Sequence, residues 1–241
     1  MEVYLLSVEE LNKDSEAERL RELAMKNMDA VRLEKVKRLK PGETGNLAIG
    51  AGLLLQLAVQ RTQGMHPQTY HGIHPRMYPV CLHVSQVLDM LGGEKPVQVE
   101  YCYGEHGKPD FAGGMLHFNL SHSGQYVCCA LAEEEVGIDI QRMHSLKNMR
   151  IAERFFAQKE NDLLRACGSE RERQELFYRT WVRKEAYAKL TGAGIAATVE
   201  QDVMTEPLEG VEWQEFDQPE GYRMAACRYG SSGGMKVLCP E

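Results

Sequence analysis

Apolar and polar positions along this 241-residue chain follow helical spacing in some stretches and alternate in others. Met1 to Leu6 reads as a short strand. Ser15 to Lys40 carries helical spacing, with Glu16, Glu18 and Glu22 set against arginines. Asn46 to Gln60 is a strongly apolar helix, and Gly50 and Gly52 inside it predict the close approach of another backbone. Residues 64 to 80, rich in His, Pro, Tyr and Gly, read as a loop, and Val84 to Leu91 as a helical turn. Val97 to Tyr103, Met115 to Leu120 and Tyr126 to Ala132 are strand-like. The Glu133-Glu134-Glu135 run then marks a turn, which divides the chain into lobes 1–134 and 135–241. The second lobe restarts with a strand over Gly137 to Gln141. Helices follow over Arg150–Phe156, Lys159–Ala166 and Arg171–Leu190, then strands from about Val211 to Val237. Ser231-Ser232-Gly233-Gly234 reads as a flexible stretch. Each half thus runs strand, helices, strands, an α+β pattern without a residue-level repeat.

Two segments carry candidate chemistry. Phe177 to Gly192 has good helix formers, no internal proline, and a glycine where a C-cap belongs. Trp181, Glu185 and Lys189 fall at i, i+4, i+8 and line one side of it. One reading is a Trp anchor beside an ordinary Glu-to-Lys surface pair. The second segment favours another. Val136-Gly137-Ile138-Asp139-Ile140-Gln141 reads as a buried strand whose period of two puts Asp139 and Gln141 on one face. Asp139, Gln141 and Glu185 together would supply three oxygen ligands, a hard-cation set suited to magnesium shared with substrate phosphates. Lys184 and Lys189 beside them suit phosphate oxygens, although Lys184 points about 100° away from Glu185 on the helix.

These motifs resemble the signature of the 4′-phosphopantetheinyl transferases: Gly137-Ile-Asp-Ile-Gln141, then Arg154-Phe155-Phe156 with Glu160, then Trp181-x-x-Lys-Glu-Ala and Lys189. Upstream, Gly107-Lys108-Pro109 and Phe118-Asn119-Leu120-Ser121-His122-Ser123-Gly124 resemble that family's other two motifs, in the family's order. The match runs from about residue 104 to 195 and is nearest to the longer, surfactin-synthetase-activator type. The resemblance implies two similar α+β lobes related by a pseudo-twofold. It also implies transfer of the 4′-phosphopantetheine arm of coenzyme A to a serine of an apo carrier protein, with magnesium. The implied catalytic residues are Asp139, Glu185 and Lys189, and the implied metal ligands Asp139, Gln141 and Glu185. Coenzyme A would be met by Lys108 and Pro109 at the adenine, by Ser121 and His122 at its phosphates, and by Lys184 and Lys189. Gln141 departs from bacterial members that carry a second carboxylate there, which implies a weaker metal site or an extra water. Residues 64–95 look like an insertion relative to the family.

Composition narrows the setting. The chain is 43% hydrophobic and 26% charged, ordinary for a soluble protein. No stretch approaches a membrane span, and the N-terminus lacks a basic region followed by an apolar core, so a cytoplasmic location is expected. The cysteine count is 7, no pair has zinc spacing, and reduced thiols are expected. The net charge of −7 argues against broad nucleic-acid binding. Arg32, Lys35, Lys37, Arg38 and Lys40 nevertheless crowd together, as a solvated helix end or as a patch for a phosphate or an acidic carrier. His66, His71, His74 and His83 match no ligand spacing. The resemblance further implies a monomer whose partners are coenzyme A and an acidic carrier. Two rival functions stay open: a coenzyme A or carrier-binding module without turnover, and another magnesium-dependent phosphate-ester enzyme acting on a nucleotide.

Overall fold

A computed structural model describes residues 1–12, 16–63, 79–145 and 149–230. His66, His71, His74 and the Ser231–Gly234 stretch lie outside the described residues. The chain forms two compact units. The first comprises Met1–Glu100 and Leu120–Leu131, the second Tyr101–Asn119 and Ala132–Glu241. A single cut at 134/135 therefore differs from the observed division, because 101–119 belongs with the second unit.

The first unit is built on a four-stranded sheet in the order β2-β1-β6-β5. The strands are β1 (Glu2–Ser7), β2 (Cys81–His83), β5 (His117–Ser123, shared between the units) and β6 (Tyr126–Ala132). β1 pairs parallel with β2 and antiparallel with β6. Helices α1 (Ala17–Lys26), α2 (Ala30–Lys37), α3 (Glu43–Gln63) and α4 (Val84–Leu91) complete this unit. Helix α3 buries Leu53, Leu54, Leu55 and Leu57, and crosses the sheet where Gly50 leaves room for Val8, Val127 and Leu6. The close approach expected there is therefore to side chains, not to a backbone, and Gly52 likewise faces Met28. The strand expected over Val97–Tyr103 shortens to β3 (Tyr101–Tyr103). At Val97 the Gln56 side chain takes the place of a neighbouring strand, its Nε2 donating to Val97 O (2.8 Å) and its Oε1 accepting from Val97 N (3.0 Å). His83 serves as the N-cap of α4, where its backbone N–H donates to Gln86 Oε1 (2.8 Å).

The second unit joins a two-stranded hairpin to a three-stranded antiparallel sheet. β3 and β4 (Pro109–Phe111) form the hairpin; β7 (Val136–Arg142), β9 (Tyr222–Tyr229) and β8 (Val211–Phe216) form the sheet in that order. Helices α5 (Arg150–Phe155), α6 (Gln158–Ala166) and α7 (Glu170–Thr191) follow β7. α7 begins at an N-cap, where Ser169 Oγ accepts from Glu172 N, and ends at Gly192 in the left-handed region (φ 69°). Trp181 on α7 packs with Phe155, Phe156 and Phe177, so the aromatic anchor is real. The acidic run before β7 is more than a turn. Glu134 pairs with Arg228 (3.2 Å) and Glu135 with Lys108 (2.6 Å), both within the second unit. Among the described residues no helix is long and apolar enough to cross a membrane.

Candidate active site on β7 and α7

The site is set by one backbone approach. β7 lays its Gly137, Asp139, Gln141 face toward α7, and a Cβ at Gly137 would overlap Ala186 O and stand 2.5 Å from Leu190 N. Only glycine lets the strand and helix come this close. Glu185 and Lys189 flank Ala186 and Ala188 on α7 and so meet the strand beside Gly137. Lys189 Nζ donates to Asp139 Oδ1 (2.7 Å) and to Ile138 O (3.1 Å). Asp139 is 5% exposed, while Glu185 and Gln141 are half-buried. Burial, and then the nearby Asp139 charge, push the Glu185 carboxyl above its usual range; Lys189 acts against both. Two carboxylates that repel one another and share one lysine make a donor set short of positive charge. That set fits a hard divalent cation, with Asp139 and Glu185 as its carboxylates and Gln141 on the same strand face.

Lys184 is a correction. Its side chain is 0% exposed, paired with Glu160 Oε2 (2.9 Å), and its Nζ donates to Thr198 O, Val199 O and Gln201 O. Those oxygens satisfy an ammonium that has three protons to donate. Lys184 therefore cannot be a phosphate ligand here. Glu160 also accepts from Ala157 N (2.8 Å) and Val203 N (2.7 Å), so the pair ties α6, α7 and the 198–203 segment together.

Lys108 lies in the turn of the β3–β4 hairpin, closed by Gly104 N donating to Lys108 O (2.9 Å), with Gly107 at positive φ (78°). Its ammonium donates to Glu135 Oε2 (2.6 Å) and Leu190 O (3.3 Å). Pro109 opens β4 opposite Tyr103. Beside the hairpin stands a network that the sequence did not announce. His117 Nδ1 meets Asp110 Oδ2 at 2.5 Å and lies 3.8 Å from Glu135 Oε1. The hydrogen bond to Asp110 raises the His117 pKa above its ordinary value against the effect of burial. Three separate segments supply these groups, so no local spacing announces them. Lys108 and His117 thus face Asp110 and Glu135 in one network.

In the first unit, His122 is exposed and Ser121 buried near the end of β5, before the turn at Gly124 (φ 55°). The basic run falls on and just after α2, which Asp29 caps by accepting from Val31 N and Arg32 N. Lys37 pairs with Glu34 (2.8 Å), and burial, then Arg32, lower the pKa of Lys35.

A family model for the 4'-phosphopantetheinyl transferase superfamily matches residues 135–227, the stretch that carries β7, α7 and β9. The 4'-phosphopantetheinyl transferase HetI of a Nostoc species is 38% identical over 128 residues, covering 51% of this chain and 54% of that protein. The 4'-phosphopantetheinyl transferase Sfp of Bacillus subtilis is 32% identical over 143 residues, 54% of this chain and 62% of its own length. The 4'-phosphopantetheinyl transferase psf-1 of Bacillus pumilus reaches 49% over 81 residues, 34% of each chain. The chain spans about half the length of the first curated relatives it matches.

Proposed function

We propose that this chain is a member of the 4′-phosphopantetheinyl transferase superfamily and that it transfers the phosphopantetheine arm of coenzyme A to a serine of an apo carrier protein. The observation that carries the reading is the meeting of Asp139, Glu185 and Lys189 between β7 and α7, inside the stretch that matches the family. The names of the relatives support the same reaction.

In the proposed reaction the carrier serine oxygen forms a bond to the β-phosphorus of coenzyme A. The bond from that phosphorus to the bridging oxygen breaks, and 3′,5′-ADP departs. Glu185, whose pKa burial and Asp139 raise, takes the serine proton directly or through a water when it is ionised. Lys189 is placed by Asp139 and Ile138 O and stabilises charge on the leaving phosphate. Asp139 and Glu185, with Gln141 directly or through water, would hold magnesium, which supplies charge neutralisation for the pyrophosphate. The Lys108–Pro109 turn is assigned to the adenine and Ser121 and His122 to coenzyme A phosphates, as the family motifs imply. An acidic carrier is the proposed partner.

The test is incubation with coenzyme A, magnesium and an apo acyl or peptidyl carrier, followed by intact mass of the carrier. A gain of one phosphopantetheine arm, lost with EDTA and in Asp139→Ala, is expected. No gain across several carriers, with coenzyme A still bound, would replace the transferase by a binding module.

A further inference from the structure

Among the described residues β7 is an edge strand of its sheet, with β9 on one side. In an antiparallel pair, alternate residues turn both backbone polar groups away from the partner strand. Ile138 is such a residue, and side chains from two directions meet its outward groups. Its N–H donates to Asn119 Oδ1 (3.0 Å), and its carbonyl accepts from Lys189 Nζ (3.1 Å). The Ile138 side chain is fully buried and Asn119 is 7% exposed, so no bulk water stands in for either partner. The first contact fixes the peptide plane that enters Ile138. The second fixes the plane that leads into Asp139, whose Oδ1 the same lysine holds at 2.7 Å. Asn119 is the last residue of the 101–119 segment that belongs to the second unit, and it reaches β7 from β5.

We propose that Asn119 is a positioning residue for the proposed site: by holding the Ile138 N–H from the open edge of β7, it sets where the Asp139 carboxylate stands. This rests on the transferase reading for what Asp139 does, and not for the contact itself. Partners that orient a metal ligand typically account for about 10–100-fold in metal affinity or activity. A carboxamide is suited to the place because its oxygen accepts without adding a further negative charge beside Asp139 and Glu185.

The test compares wild type with Asn119→Ala and Asn119→Asp, which keeps an acceptor oxygen; Asn119→Leu, similar in branching, replaces the alanine variant should that fail to fold. Three readouts are taken: Mn²⁺ binding by electron paramagnetic resonance, amide hydrogen exchange at Ile138, and kcat compared with the KM for coenzyme A. In Asn119→Ala the Ile138 amide should lose protection and Mn²⁺ affinity should fall about 10–100-fold. kcat at saturating coenzyme A should fall more than the KM for coenzyme A changes. Asn119→Asp should restore protection of the Ile138 amide. Lost protection with unchanged Mn²⁺ affinity would make Asn119 a structural residue only and overturn the proposal. Failure of the wild type to bind Mn²⁺ or to transfer would overturn the transferase reading itself, an outcome visible before any variant is compared.

Discussion

Gly137 on β7 and Ala186 on α7 touch backbone to backbone, with no room for a single methyl between them. This contact brings Glu185 and Lys189 to the level of Asp139. Gly137→Ala forces the strand and helix apart against atoms that cannot rotate away. Overpacking of a core typically costs about 1–3 kcal/mol, and a backbone neighbour places this case at the upper end. Urea unfolding should show a lower midpoint with an unchanged slope. The folded variant should also lose transfer. A wild-type midpoint would show that the helix yields freely.

Asp139→Ala, Glu185→Ala and Lys189→Ala should each fold and each lose roughly 10²–10³ in transfer rate, the usual effect of removing one charge-stabilising group. The carrier mass assay reads this directly. Near-full activity in Glu185→Ala would remove that carboxylate from both of its assigned roles.

The meeting of Asp139, Glu185 and Lys189 was legible in the sequence because their spacing is a packing statement. Asp139 and Gln141 share a strand face, and Trp181, Glu185 and Lys189 share a helix stripe, whatever surrounds them. Lys184 shows the limit. Its place beside Glu185 and Lys189 suggests a phosphate ligand, and only the folded 198–203 segment supplies the carbonyls that bury it. Asp110 on β4, His117 on β5 and Glu135 before β7 come together through contacts between separate segments that no local period encodes. Asn119 falls within a recognised motif, but its contact with Ile138 depends on which strand edge is left open. The Val97 end of β3 was lost to a side chain, since Gln56 takes the backbone groups that a strand partner would have used.

Lys184→Met should act on stability and not on coenzyme A binding. Removing one partner of a buried ion pair typically costs about 3–5 kcal/mol, because the other charge stays buried. Here Glu160 would keep only its two backbone donors. Denaturant titration should show the loss, and Glu160→Gln combined with Lys184→Met should recover part of it. A variant of normal stability with a raised KM for coenzyme A would restore Lys184 to phosphate binding.

His117 gives the protein a pH signature. Its folded pKa is raised, so the folded state binds this proton more tightly than the unfolded chain. The stabilisation is fully present below the ordinary histidine pKa of about 6.5 and fades as pH rises through the higher folded value. Lys108, Asp110 and Glu135 all face the ring, so the net slope belongs to the network. His117→Gln should flatten the decline in stability above neutrality, measured by denaturant midpoints across pH. An identical slope in wild type and variant would assign it elsewhere.

Gln141→Glu tests the third oxygen of the proposed metal set. Gln141 stands opposite Arg223 in the β7–β9 ladder, so the two side chains share a face. Arg223 is already engaged by Glu175 and by Tyr222 O. A carboxylate at 141 would therefore add negative charge beside Asp139 and Glu185 while drawing only part of it toward the guanidinium. Magnesium affinity should rise on the order of tenfold, about 1.4 kcal/mol. Stability without metal should fall slightly, since three carboxylates then repel one another around one lysine. Both effects are read on the same sample, by metal titration and by thermal unfolding with EDTA. Unchanged affinity would mean that position 141 does not reach the ion, and that Asp139 and Glu185 hold it with water in its place.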